Sequence, residues 1–417
     1  MRSFLPLIKA EWQLLAFGFV MTFCSSFGQT FFIALFSGEI RSDLNLSHAA
    51  FGAIYSAATL ASAILLLRTG SLVDRMDLRR FSYMAIVGLA CGCLLLAGAR
   101  GVLMLFLAIL LLRHTGQALM SMAGATAMVR YLNHQKGKAN ALAGMGYSIA
   151  EAILPLVVVG LLLWLGWRQS WIVFGLALVV FLPLMVHFLL RQQGSRHDQY
   201  LQSLDQSRRQ AAEPDTGPAQ TQQRQWTRGE MIRDPLFYLF IPALLAQPML
   251  FTGFMFHQIH LVESKGWSLA FWGSLYTLYA ITSSVMKLFA GLLIDRFGAI
   301  RLVQFVSLPM GVGFLVLSSS NQALAAAVFM FLLGITVGGY ATLSSPFFAE
   351  KYGTLHIGSI KSVTTALMVF ASAIAPVLMG WLIDLGVSME AQAIGALLYV
   401  AVAAALARLA YLKTLQQ

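Results

Sequence analysis

Long apolar runs separated by short polar stretches dominate the chain. Twelve of them read as membrane spans, near 12–37, 51–69, 81–99, 102–129, 139–164, 169–190, 236–261, 269–290, 302–319, 322–349, 358–381 and 390–411. A helix rises about 1.5 Å per residue, so roughly 20 apolar residues cross a ~30 Å hydrocarbon core. A membrane β-barrel would instead alternate with period two in ~10-residue pieces. The pattern predicts an all-α integral membrane protein with twelve transmembrane helices. It fails once, over 191–235, where Gln, Arg, Pro and Gly leave too little apolar surface for a packed domain. The expected organisation is a six-helix bundle over 1–190, a linker over 191–235 and a second six-helix bundle over 236–417. Near the linker's end, Thr227 and Glu230 have the spacing of a capping box, which predicts a short surface helix there.

Composition agrees. The 417 residues are 58% hydrophobic and 11% charged, where soluble domains carry about 25% charge. The net charge of +11 raises a polyanionic partner, but its distribution argues otherwise. With the N-terminus inside, 23 of the 28 Lys and Arg fall at the inner ends and loops, and Arg41, Arg100, Arg168 and Lys265 fall outside. Only Arg113 is then left within a span. That bias places both termini in the cytoplasm and makes the basic charge a matter of orientation, with no nucleic-acid partner. The opening MRSFLPLIKAEW leads into an apolar run without a small-residue cleavage site, so it reads as a retained first helix. Cys24, Cys91 and Cys93 all lie in apolar segments and suggest neither a disulfide framework nor a thiolate metal site.

The two halves repeat. A gapless shift of 221 residues superposes Tyr55 on Tyr276, Gly70 on Gly291, Asp74-Arg75 on Asp295-Arg296, Tyr131 on Tyr352 and Pro155 on Pro376. The loops GSLVDRMDLRR (Gly70–Arg80) and GLLIDRFGAIR (Gly291–Arg301) pair a glycine with Asp-Arg and further basic residues. Both resemble the signature loop of the major facilitator superfamily, with Asp77 standing in the first copy where glycine is usual. Arg113 followed by Gly116-Gln117 is similar to that superfamily's fourth-helix motif with Gln and Gly exchanged. The resemblance covers nearly the whole chain. It implies a bacterial-type secondary transporter of the inner membrane, working as a monomer by alternating access on a small-molecule substrate. It also implies gating by the two loops, with Asp74, Arg75 and Arg130 in one copy and Asp295, Arg296 and Lys351 in the other.

Within the spans, Arg113 and Glu151 stand out. Each lies roughly 16–18 Å into its helix at 1.5 Å per residue, on adjacent antiparallel spans. A lone charge at that depth costs several kcal/mol or more, so mutual neutralisation is expected. The second half carries Gly334 and Ser372 in their places, so the fold does not require the pair. The alternatives are a structural ion pair, an anion-binding Arg113, and a proton-carrying Glu151. Tyr147 and Ser148 lie one turn before Glu151 on its face. Gln29 and Gln258 sit toward the outer parts of spans 1 and 7, as cavity groups, outer-gate contacts or helix–helix bonds. His257 and His260, three apart, have a spacing that can chelate a metal, yet their place near the outer interface favours simple solvation, and no metal is expected.

No Walker-type glycine cradle and no sizeable soluble domain are present, so ATP-driven pumping is not expected. No catalytic constellation appears, which argues against an enzyme and leaves the proton gradient as energy source with no cofactor. The favoured expectation is proton-coupled transport of a small organic anion such as a carboxylate. Export of drug-like compounds, import of a metal ion or complex, and a receptor that kept the fold are the rivals.

Overall fold

The computed structural model describes residues 5–70, 72–132, 136–191, 194, 225–353 and 356–416, without the side chains at 5, 74, 75 and 136. Every regular element among them is helical. The first half runs α1 (Leu5–Cys24), a 3-10 turn (Ser25–Gly28), α2 (Thr30–Ala34), α3 (Ser37–Leu44), α4 (His48–Thr69), α5 (Leu72–Arg75) and α6 (Leu78–Ala97). It continues through α7 (Val102–Leu111), a π-helical stretch (Leu112–Met120), α8 (Ser121–Tyr131) and α9 (Lys136–Leu189). The second half comprises α10 (Arg228–Arg233), α11 (Pro235–Phe256), α12 (Gln258–Ser264), α13 (Leu269–Phe297), α14 (Ala299–Leu302), α15 (Leu308–Ser319), α16 (Ala323–Tyr352), α17 (Ile357–Asp384) and α18 (Met389–Thr414).

Ten described helices are long and apolar enough to cross a membrane, and Leu308–Ser319 is a shorter apolar one. The 54-residue α9 holds two expected spans, joined at Gly166, whose φ of 73° and ψ of 174° only glycine adopts readily. The repeat is visible in the helix starts. They fall at 48, 78, 102 and 136 in the first half and at 269, 299, 323 and 357 in the second, each pair 221 residues apart.

Three spans are not the single rods their hydropathy suggests. The first leaves α-geometry over Ser25–Gly28, the seventh breaks at His257 (φ −95°, ψ 21°), and the ninth is in turn geometry over 303–307, between α14 and α15. The expected capping box is present: Thr227 and Glu230 cap α10 reciprocally, and Met231 of that helix is fully buried. Asp234 then caps α11 and accepts a bond from Tyr352 Oη at 3.0 Å.

The chain divides into two compact units, one of Met1–Gln29, Ala61–Ala150 and Leu165–Gln222, the other of Thr30–Leu60, Glu151–Trp164 and Gln223–Gln417. In the first, α1 packs on α8, and α6 packs on α7 and the π-helical stretch. In the second, α13 packs on α16, and α11 packs on α17 and α18. Lipid tails are as apolar as leucine, so such helices associate through close packing of small residues. A Cβ on Gly338 would lie 2.3 Å from the Ser283 carbonyl, and one on Gly334 2.8 Å from that of Tyr279. These glycines, one turn apart on α16, set its distance from α13.

Candidate functional site

Arg113 lies in the π-helical stretch and is 5% exposed. Its Nη1 donates to the Gly28 carbonyl at 3.1 Å. The 3-10 turn presents that carbonyl, and Gly28 is the residue at which the turn meets the π-helix. A Cβ there would stand 2.1 Å from the Leu112 carbonyl oxygen and 2.5 Å from the Gln117 nitrogen. The close approach therefore requires glycine. Gln29 follows in extended geometry (φ −85°, ψ 154°), half-buried.

Glu151 is 1% exposed and belongs to the second unit. Tyr279 Oη donates to its Oε1 at 3.3 Å, and Thr277 Oγ1 donates to the next carbonyl, Ala152, at 3.2 Å. One turn back along α13, Tyr276 Oη donates to Gln258 Oε1 at 2.7 Å. Positions three apart share a helix face, and the rings of Tyr276 and Tyr279 meet edge-on, centroids 6.1 Å apart. The two tyrosines thus connect Glu151 with Gln258. Gln258 is fully buried: Oε1 also accepts from Trp272 Nε1 at 2.9 Å, and Nε2 donates to the Phe31 carbonyl at 2.9 Å. Among the alternatives left open for it, the geometry is that of a helix–helix bond. Tyr147 is half-buried and Ser148 buried.

His257 Nε2 faces the Pro376 carbonyl at 2.9 Å. A carbonyl only accepts, so that nitrogen carries the proton. His48 joins the pair, its ring 5.7 Å from His257 and 4.6 Å from His260. Among the described residues, no three His, Cys, Asp or Glu are arranged to hold a metal ion. The surrounding seam is tight: Asp384 accepts from the backbone nitrogens of His48 and Ala49 at 3.0 and 2.8 Å, and Ser56 Oγ donates to the Ala373 carbonyl.

The side chains of Asp74 and Arg75 lie outside the described residues. Arg130 is 8% exposed and donates from Nη2 to the Val73 carbonyl at 3.0 Å, fastening α8 to α5. In the other copy, Asp295 and Arg296 are exposed, and Arg296 stacks over the neighbouring Phe297 ring at 5.2 Å. Lys351 Nζ reaches Thr414 Oγ1 at 3.5 Å. The loop is tied instead through Glu350, whose Oε2 accepts from Ala299 N, the first residue of α14. The first copy meets the same need locally, with Asp77 accepting from Arg79 N and Arg80 N.

Sequence reasoning passed over the hydroxyls of Tyr276 and Tyr279, although the repeat match of Tyr55 with Tyr276 was a signal: Tyr55 Oη likewise bonds Thr30 Oγ1, at 2.7 Å. The half-buried Lys287 lies 18 residues into the 29-residue α13, about 27 Å from its start at 1.5 Å per residue, in keeping with its count among the inner-end charges.

The sequence profile of the Major Facilitator Superfamily matches residues 18–272 and 252–415. The chain belongs to the Major Facilitator Superfamily. No curated protein is similar to it in sequence. Among solved structures it is similar to the nucleoside transporter NupG, at 13% identity and a TM-score of 0.70, over 98% of this chain and 99% of that one. It is also similar to a bacterial homologue of the human lysosomal transporter Spinster, at 12% identity and a TM-score of 0.67, over 97% of each chain. At such identities the likeness carries the fold alone. Family and architecture together make this superfamily member an integral membrane secondary transporter with a small-molecule substrate and not an enzyme.

Proposed function

We propose that the protein moves a small organic anion, a carboxylate by preference, by proton-coupled alternating access in a bacterial inner membrane. The observation that carries the reading is Arg113, a guanidinium 5% exposed within a membrane-spanning helix, in a place where the second half has glycine. Burying a cation there costs at least roughly 2.5 kcal/mol, and the repeat indicates that folding does not demand it. Glu151, 1% exposed and bonded to Tyr279, is the proton carrier in this reading. The loops at Asp74-Arg75 and Asp295-Arg296 act as inner gates, both termini are cytoplasmic, and the monomer is the working unit.

A thermal-shift screen of the purified protein tests this against organic acids, amino acids, nucleosides, metal ions and cationic drugs. Organic acids should stabilise the wild type, with the shift lost in Arg113→Ala. An anion shift that survives Arg113→Ala intact would sink the anion site. In proteoliposomes, Glu151→Gln should exchange substrate yet fail to accumulate it under a proton gradient; normal accumulation would remove Glu151 from the coupling.

A further inference from the structure

The residue after Arg113 has no part in that scheme. His114 is 8% exposed, within the same π-helical stretch, and its Nε2 lies 3.2 Å from Thr69 Oγ1 on α4. A hydroxyl has one hydrogen, and that of Thr69 goes to the Leu65 carbonyl at 3.0 Å. Toward His114 the threonine can therefore only accept, so Nε2 carries the N–H. In the neutral ring the lone pair then sits on Nδ1, and Nδ1 is buried without a hydrogen-bond partner. The Ser62 backbone is the other polar group near the ring. A carbonyl offers nothing to a lone pair but accepts from an N–H, so only the protonated ring can satisfy both nitrogens.

We propose that His114 is a proton-binding site of the transport cycle, distinct from Glu151, whose Nδ1 takes up a proton against the Ser62 carbonyl while Nε2 stays bonded to Thr69. Three further observations support it. The ring sits in a π-helical stretch of nine residues, a costly conformation that concentrates at functional positions. The repeat supplies an internal comparison: 221 residues on, His114 and Thr69 become Ile335 and Ala290, which line one apolar cavity. Helices in this arrangement pack without a polar contact at this place. Finally, the described neighbours support the imidazolium without locking it. Toward this segment α6 presents Gly88, Leu89 and Gly92, the 3-10 turn presents Gly28, and α4 presents Ser62 and Thr69. None of these has a charged side chain. Arg113, on the same helix, directs its guanidinium to Gly28. Two neutral acceptors, with no carboxylate among these described neighbours, suit a group that must release its proton again.

The inference rests on the proton-coupled reading above, and its test separates the two. The first measurement follows the ring nitrogens of 15N-histidine-labelled protein in nanodiscs between about pH 5 and pH 8, where histidine changes charge. The His114 signals are assigned by their loss in His114→Gln, or by replacing the other seven histidines singly if that variant does not fold. Nε2 should stay protonated throughout while Nδ1 passes from unprotonated to protonated. A ring that stays neutral over the whole range overturns the proposal. The second measurement reads pH-driven distance changes between spin labels on the two halves in wild type, His114→Gln and Glu151→Gln. His114→Gln keeps an N–H for Thr69 but binds no proton, so its response should be lost. A wild-type response in His114→Gln, with loss in Glu151→Gln, refutes the His114 site and leaves the proton reading standing. No pH response in the wild type refutes both.

Discussion

Gln258 offers the sharpest quantitative test of the packing in the second unit. Its amide makes three bonds to groups on two segments: the Phe31 carbonyl of α2, and Trp272 Nε1 and Tyr276 Oη of α13, at 2.9, 2.9 and 2.7 Å. Gln258→Met keeps the volume and removes all three. Interhelical hydrogen bonds in membrane proteins contribute about 0.6 kcal/mol on average and about 1.7 at most, so the loss is roughly 2 kcal/mol, with about 5 as upper bound. The three stranded groups differ. Tyr276 Oη has a second acceptor, Met255 Sδ, at 3.6 Å, whereas the only bond shown for Trp272 Nε1 is to Gln258. In double-mutant cycles read by reversible unfolding in mixed micelles, Gln258→Met should therefore couple more strongly with Trp272→Phe than with Tyr276→Phe. A Gln258→Met protein within about 0.5 kcal/mol of wild type, the range of an ordinary surface change, would refute the reasoning. So would equal coupling to the two aromatic residues.

Three other perturbations follow from the same geometry. Gly28→Ala puts a Cβ 2.1 Å from one backbone atom and 2.5 Å from another, so backbone must move. A loss of about 1–3 kcal/mol is expected in the same unfolding assay, as for an overpacked core, and a neutral outcome would show the contact to be loose. Asp384→Ala removes the acceptor for two amides at the start of α4. It should lower stability by about 1 kcal/mol, as loss of a helix cap does, and speed hydrogen exchange at His48 and Ala49; unchanged exchange would count against the cap. Gly298→Ala must hold alanine at φ 79° and ψ 149° with its Cβ 2.8 Å from Glu350 Oε1. It should cost of order 1–3 kcal/mol in that assay, more than an alanine at Gly291, where no atom lies within 4 Å of an added Cβ.

What the chain displays in advance is what is local or periodic. Hydropathy located the helices because a span must be apolar along its length, and the shift of 221 anticipated where paired helices begin because it is a property of residue order. The Thr227–Glu230 cap was legible for the same reason, being closed within four residues. The breaks at Ser25–Gly28 and His257 were not, since Gly28 and His257 take their conformations from Leu112, Gln117 and Pro376, far away in sequence. The role of Tyr279 was not legible because its hydroxyl meets Glu151, 128 residues away in sequence.

The repeat also shows how two copies of one scaffold come to hold different chemistry. At position 334 the second half brings the Tyr279 carbonyl within 2.8 Å of where a Cβ would be, so no side chain larger than hydrogen fits without moving α13. At the matching position the first half holds a guanidinium, 5% exposed, in a π-helical stretch. A π-turn holds more residues than an α-turn and leaves its helix face less regular, which makes room where α16 has none. The difference is therefore one of backbone as well as side chain. Tyr279 carries the consequence further, because the residue whose carbonyl excludes a side chain at 334 directs its hydroxyl to Glu151. Close packing of α16 on α13 thus fixes the helix that orients the buried acid, so the glycine of one half serves the carboxylate whose counterpart, Ser372, bonds only the Val369 carbonyl of its own helix.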